Sequence, residues 1–184
     1  MISYFNSTIF RKTLAGLSGF FLVLFLLGHL LGNLQLFIPG EDGQKQFNEY
    51  ALFMTTNPAV KILSVLTYSS IILHTVLTLF LVFQSSNARD VKYLQSSGNA
   101  NSTWGSKNMA VLGTLILIFI LIHMKSFWYE MHFGVIGLDP WGNKDLHTVT
   151  VTAFNELWYV LFYVLSMVVL AVHLKHGVES VFQT

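Results

Sequence analysis

The chain contains no cysteine. That excludes disulfides, thiolate-bound metal, iron–sulfur clusters ligated by this chain, and covalent c-type haem, which is attached through C-x-x-C-H. Charge is scarce as well. Asp, Glu, Lys and Arg make up 10% of the 184 residues, against about 25% in a soluble domain, so lipid is the expected solvent. A net charge of +1 with no basic cluster gives nucleic acid nothing to bind. Proline occurs three times, at Pro39, Pro58 and Pro140, always between apolar runs.

What the chain has in plenty is apolar length: 53% hydrophobic and 15% aromatic residues, with a mean hydropathy of +0.59. A spanning helix needs about 20 mostly apolar residues. Four segments qualify, at about 14–38, 60–83, 109–133 and 153–177. Pro39-Gly40 ends the first, Asn57-Pro58 precedes the second, and Gly134 with Asp139-Pro140 follows the third. The expected fold is all-α, one transmembrane helix bundle over 1–184. The first apolar run is too long for a cleavable signal peptide and lacks a clear small-residue cleavage site. In "EDGQKQFNEYALFM", Phe47, Tyr50, Ala51 and Met54 recur at helical spacing, which predicts an amphipathic interfacial helix over about 44–55. The linker 84–108 is Ser/Asn-rich, contains an N-x-[ST] pattern at Asn101, and belongs outside the bilayer.

Charge orients the bundle. Arg11 and Lys12, then Arg89, Lys92 and Lys107 against Asp90 alone, lie on one side. Glu41, Asp42 and Glu49 against Lys45, then Asp139 and Asp145 against Lys144, lie on the other. The positive-inside rule makes the N-terminus and the 84–108 linker cytoplasmic.

Of seven histidines, His147 falls in an outer loop, His132 at an outer helix end and His176 at an inner one, and four lie within the spans, one per helix: His29, His74, His123 and His173. At 1.5 Å per residue, His29 lies roughly 22 Å along its helix from the cytoplasmic start and His123 at a similar depth. His74 is about 15 Å from the cytoplasmic end, and His173 nearer still. Counting alone thus sorts them into an outer pair, His29 with His123, and an inner pair, His74 with His173. Neutral imidazole is a common ligand of haem iron. Two pairs at different depths would hold two haems and carry electrons across a bilayer. Gly28 and Gly32 beside His29, Ser70 one turn from His74 and Gly177 one turn past His173 are small enough to admit a flat macrocycle. Arg11, Lys12, Lys92 and Lys175 are candidate partners for haem propionates, and His176 is a candidate inner-edge cap or propionate contact.

Other readings of intramembrane histidines are helix–helix hydrogen bonding and a proton or ion path. A di-iron site calls for inward glutamates in Glu-x-x-His spacing, absent around these four. Zinc or copper calls for ligands converging at one depth.

The stretches "FLLGHLLGN", "IILHTV", "LIHMKSFWYEMHFG" and "HLKHGVESVF" resemble the cytochrome b (b558-type) membrane anchor of complex II, the single-polypeptide di-haem kind found in succinate dehydrogenases and fumarate reductases. "FNEYALFM" resembles that family's segment between helices one and two. The resemblance covers essentially the whole chain and implies axial ligands at His29, His74, His123 and His173, the first paired with the third and the second with the fourth. It implies two haems b, menaquinone as the electron partner, and a flavoprotein and an iron–sulfur subunit docked on the cytoplasmic face of a bacterial inner membrane. The dicarboxylate chemistry of the tricarboxylic acid cycle then belongs to those partners, and the whole complex is a candidate dimer. Family members carry a fifth spanning helix, without haem ligands, after the fourth; it has no counterpart before Thr184. Candidate quinone residues toward the outer side are Gln35, Glu49, Tyr50, Trp128, Tyr129, Glu130 and His132, types that also form ordinary interfacial belts. Anchors of hydrogenases or formate dehydrogenases are the nearest alternative, and those place two ligand histidines on one helix.

Overall fold

The computed structural model describes residues 7–87 and 104–181. Eight helices appear among them: α1 (Thr8–Asn33), α2 (Gly40–Thr56), α3 (Pro58–Asn87), α4 (Trp104–Lys107), α5 (Met109–His123), α6 (Glu130–Phe133), α7 (Leu146–Phe154) and α8 (Leu157–Val181). A 3-10 turn, Leu34–Phe37, extends α1, and a π-helical stretch, Met124–Tyr129, joins α5 to α6 as one rod. Four segments are long and apolar enough to cross a membrane: Thr8–Phe37, Pro58–Ser85, Met109–Phe133 and Leu157–Ser180. Among the described residues the sole β-type pairing is an isolated bridge, Leu138 with Lys144.

The helix boundaries have local causes. The Ser7 hydroxyl accepts from the Phe10 N–H at 3.1 Å and caps α1. Asn57 caps α3 by accepting from the N–H groups of Ala59 and Val60, with Pro58 at the first helical position, where its missing N–H costs nothing. Glu41 and Asp42 occupy the first turn of α2, where the helix dipole favours negative charge. The fourth span starts later than its hydropathy indicates. The apolar run from Ala153 is broken at Asn155, whose N–H returns to the carbonyls of Val151 and Thr152, and α8 begins only at Leu157. Two polar residues, Asn155 and Glu156, thus separate a short helix outside the span from the span itself. The interfacial helix, conversely, is longer than its apolar pattern, starting at Gly40.

In the bundle α1 packs on α3 and α8, while α5 packs on α8 and α3. Of the buried residues in the spans, those of the first two are small or polar (Ala15, Ser18, Thr67 and Ser70), while Leu112, Met131 and Tyr159 are buried in the last two. Leu24, Leu31, Ile72, Leu121 and Leu165 instead lie exposed on the outside. This inverts the soluble pattern because lipid tails are as apolar as leucine, so close backbone approach decides helix contact. Span hydroxyls are satisfied within their own helices: Thr67 donates to the Leu63 carbonyl, Thr78 to His74 and Ser166 to Phe162.

One end of the bundle carries the start of α1 and the end of α8 (the near end). The other, far end is closed by a polar junction between α2 and the loop before α7. Asn48 has 0% exposure. Its amide donates to Asp139 Oδ2 at 3.1 Å and Asp145 Oδ1 at 3.0 Å, and its Oδ1 accepts from the His147 N–H at 2.9 Å. Gln44 adds a bond to Asp145 Oδ2 at 2.8 Å. Burial pushes both carboxyls up, but the hydrogen bonds outweigh it. Asp139 is held below its ordinary value chiefly by the Asn143 N–H, the Asn48 amide, the Asn143 amide and the Trp141 N–H. Asp145 is held down by Asn48, Thr148 and Gln44.

Candidate functional site: two histidine pairs

Each spanning helix contributes one histidine to a facing pair, and His132 and His176 lie nearer the ends of the third and fourth spans. His29 on α1 faces His123 on α5, with ring centroids 5.6 Å apart and planes at 87°. His74 on α3 faces His173 on α8 at 6.5 Å and 78°. The two pairs stand at separate levels. The Cβ position of Gly19 lies 2.9 Å from His74 Cε1, and that of Gly113 lies 3.7 Å from His173 Cε1. From Gly19 to His29, and equally from Gly113 to His123, is ten residues, or about 15 Å of helix. Two helices thus give the same spacing between the levels. Sequence reading had missed both glycines, although their shared ten-residue offset from a histidine was visible.

The surroundings orient the rings. His74 Nδ1 lies 3.0 Å from the Ala15 carbonyl and 3.4 Å from the Ser18 hydroxyl. A ring that donates Nδ1–H to this carbonyl leaves the Nε2 lone pair free. His123 Nδ1 lies 3.0 Å from the Tyr163 hydroxyl, which also accepts from Tyr159 at 3.1 Å. Phe25 stacks on His29 and Phe119 on His123, at 5.6 and 5.7 Å between centroids. His29 Nε2 has the Asn33 amide nitrogen at 3.4 Å. His173 Nδ1 is buried without a hydrogen-bond partner. Ala15, Ser18, Tyr159 and Tyr163 carry no sequence mark of this role, because three of them touch a histidine, or its partner, on another helix.

The donor set narrows what such pairs can hold. Among the described residues no three His, Cys, Asp or Glu side chains converge on one point. Each pair offers two nitrogens, too few for the four-ligand tetrahedral sites of structural zinc. A first-row metal bonds imidazole nitrogen at about 2 Å, and that nitrogen lies about 1.2 Å from its ring centroid, so two rings across one ion stand about 6 Å apart. Both observed separations are close to this value. A metal held there would take one imidazole from each helix of a pair and would need its remaining ligands from elsewhere, as a macrocycle would supply them. Beside Gly28 and Gly177 an added Cβ would meet nothing within 4 Å, so the chain does not crowd those faces. Gly32 serves a different contact: its Cβ position lies 2.5 Å from the Tyr50 hydroxyl.

The other candidates scatter. Arg11 lies over the Phe80 ring, its Cζ 4.3 Å from the centroid. Lys12 and Lys175 are exposed and His176 half-buried toward the near end. Lys92, like Arg89 and Asn101, lies outside the described residues. At the far end Gln35 donates back to the Gly32 carbonyl at 3.1 Å, and Glu49 is exposed with Lys45 at 3.9 Å. Trp128 stacks on His132 at 4.6 Å and donates its indole N–H to Tyr68 at 2.7 Å. Lys125 bonds Glu130 at 2.6 Å and lies over Tyr129. The π-helical stretch immediately after His123 adds a residue to the turn, and in this register Phe127 meets both His123 and Tyr159. Glu130 also borders an open, mainly apolar groove of about 520 Å³, lined by Val135, Ile136, Thr148 and Thr152 among others.

Comparison with protein-family models, with curated proteins and with solved structures returns no match.

Proposed function

We propose that this chain is the membrane-anchor and electron-transfer subunit of a succinate:menaquinone oxidoreductase, holding two haems b by His29 with His123 and by His74 with His173. One observation carries the reading: two facing imidazole pairs, 5.6 and 6.5 Å between centroids, at two levels of a four-span bundle. The motif resemblance supports the assignment to complex II.

Bound haem b supplies reversible one-electron transfer, with a potential set by ligand, hydrogen bonding and burial. The chain's own groups do the rest. The Ala15 carbonyl fixes the His74 tautomer, the Tyr163 hydroxyl orients His123, and Phe25 and Phe119 stack on His29 and His123. With the near end cytoplasmic, Arg11, Lys12, Lys175 and His176 face the side where the flavoprotein and iron–sulfur partners dock, in a bacterial inner membrane. The far-end groove, mainly apolar with Glu130 and Asp145 in its lining, is the candidate quinone site, and Glu130 is its candidate proton-exchanging group.

A pyridine haemochrome assay on quantified protein tests the reading. Two haems b per chain are expected, falling to one or none in His29→Ala, His74→Ala, His123→Ala and His173→Ala. Folded protein without haem overturns it and moves the four histidines to a haem-free proton or ion path.

A further inference from the structure

The two histidine pairs are not equivalent in what their second nitrogens touch. At the level closer to the near end, here the lower, with His29 and His123 at the upper, His74 Nδ1 faces a backbone carbonyl, Ala15 O at 3.0 Å. At the upper level His123 Nδ1 faces a phenol oxygen, Tyr163 at 3.0 Å, and that oxygen already accepts from Tyr159 at 3.1 Å. A ligating imidazole that donates its N–H to a good acceptor becomes a more basic ligand, which favours the ferric state and lowers the potential. A phenol oxygen shared between two donors is a poorer acceptor than a peptide carbonyl, because each accepted bond draws on the same lone-pair density. Tyr159 is only 5% exposed, so water does not compete for its hydroxyl.

We propose that Tyr163 is a positioning residue that sets the potential of the upper haem through the His123 imidazole, and that Tyr159 attenuates it from one step further out. The proposal rests on the haem reading above. It makes His123 a less basic ligand than His74, and it gives the two tyrosines opposite effects. Tyr163→Phe deletes the acceptor of His123 Nδ1–H, leaves the ligand less basic and raises the upper potential. Tyr159→Phe frees the Tyr163 oxygen to accept from His123 alone, strengthens that bond and lowers the upper potential. Neither touches His74 or His173.

The test is a spectroelectrochemical titration of the purified haem-loaded protein, following both haems, with low-spin ferric EPR of each state. Tyr163→Phe is expected to shift the ferric/ferrous ratio of one haem about five-fold toward ferrous at fixed potential, about 40 mV for a one-electron couple. Tyr159→Phe is expected to shift the same haem the other way, and the second haem is expected to stay within error in both. Phe162→Leu, which alters packing beside Tyr163 but removes no hydrogen bond, is expected to leave both potentials in place. Shifts of the same sign in the two tyrosine variants, shifts shared by both haems, or no shift would overturn the proposal. If Tyr163→Phe fails to fold, the downward shift in Tyr159→Phe still decides. Absence of haem from the folded wild-type protein is the separate result that removes the functional reading itself.

Discussion

Replacing Asn48 by leucine keeps roughly the volume and deletes three hydrogen bonds at once. The amide serves Asp139 and Asp145, and the side-chain oxygen takes the His147 N–H. A hydrogen bond to a charged group contributes about 1.5–3 kcal/mol and a neutral one about 1 kcal/mol. Asp139 is only 6% exposed, so its bond belongs in the upper part of that range. Asp145 is partly open to water, which compensates some of its loss, leaving about 1 kcal/mol. The total is about 4–5 kcal/mol, localised where α2 meets the loop before α7. Hydrogen–deuterium exchange in detergent micelles reads it directly. If these amides exchange by local opening, those of Trp141, Asn143 and His147 should exchange at least about 100-fold faster in Asn48→Leu, since each 1.4 kcal/mol is a factor of ten. Amides in the middle of α3 and α8 should be unchanged. Protection at the junction within three-fold of wild type would refute the reasoning. Acid should act at the same place. Both carboxyls sit below their ordinary value of 3.8 in the folded state. Their contribution is therefore complete above about pH 4 and is lost as pH falls through the lowered folded values. Junction protection, corrected for intrinsic rates, should be flat from pH 7 to pH 5 and fall below about pH 4.

Gly19→Ala places a methyl 2.9 Å from His74 Cε1, so the ring must leave the Ala15 carbonyl; a loss of about 1–3 kcal/mol in detergent unfolding is expected. Gly28→Ala meets nothing and should be neutral or up to about 1 kcal/mol more stable through helix propensity; equal losses in the two would contradict the geometry. Gly32→Ala collides with the Tyr50 hydroxyl and ring, and Tyr50→Phe should recover only part of the loss, because ring carbons at 2.8 and 2.9 Å remain; an unfolding double-mutant cycle measures the coupling. Lys125→Ala breaks a short but exposed ion pair with Glu130 and should move thermal stability by less than about 1 kcal/mol.

Much of this architecture is written in one dimension. Four apolar runs of spanning length, separated by Pro39-Gly40, Asn57-Pro58 and Gly134, give four helices, because unpaired backbone groups are too costly in lipid for a span to take another form. The errors lie at ends. Hydropathy merged α7 with the fourth span because Ala153 and Phe154 are apolar, whereas the capping chemistry of Asn155 cuts the helix there. The interfacial helix extends back to Gly40 because its first turn is held by dipole and acidic residues rather than by an apolar face.

For the histidines, the sequence alone determined that each span has one away from its ends and how far along the helix it lies, since rise per residue is fixed. That depth was enough to sort them into His29 with His123 and His74 with His173. What only the tertiary structure decided is everything lateral: which faces of α1, α3, α5 and α8 meet, that the rings oppose each other within about 6 Å, and that Gly19, Ala15 and Tyr163 lie beside them. Residues 15 and 74, or 123 and 163, are joined by no local rule. Their contact follows from how four helices rotate and pack, and in a solvent as apolar as leucine that is set by small residues and buried polar groups rather than by hydrophobic pattern.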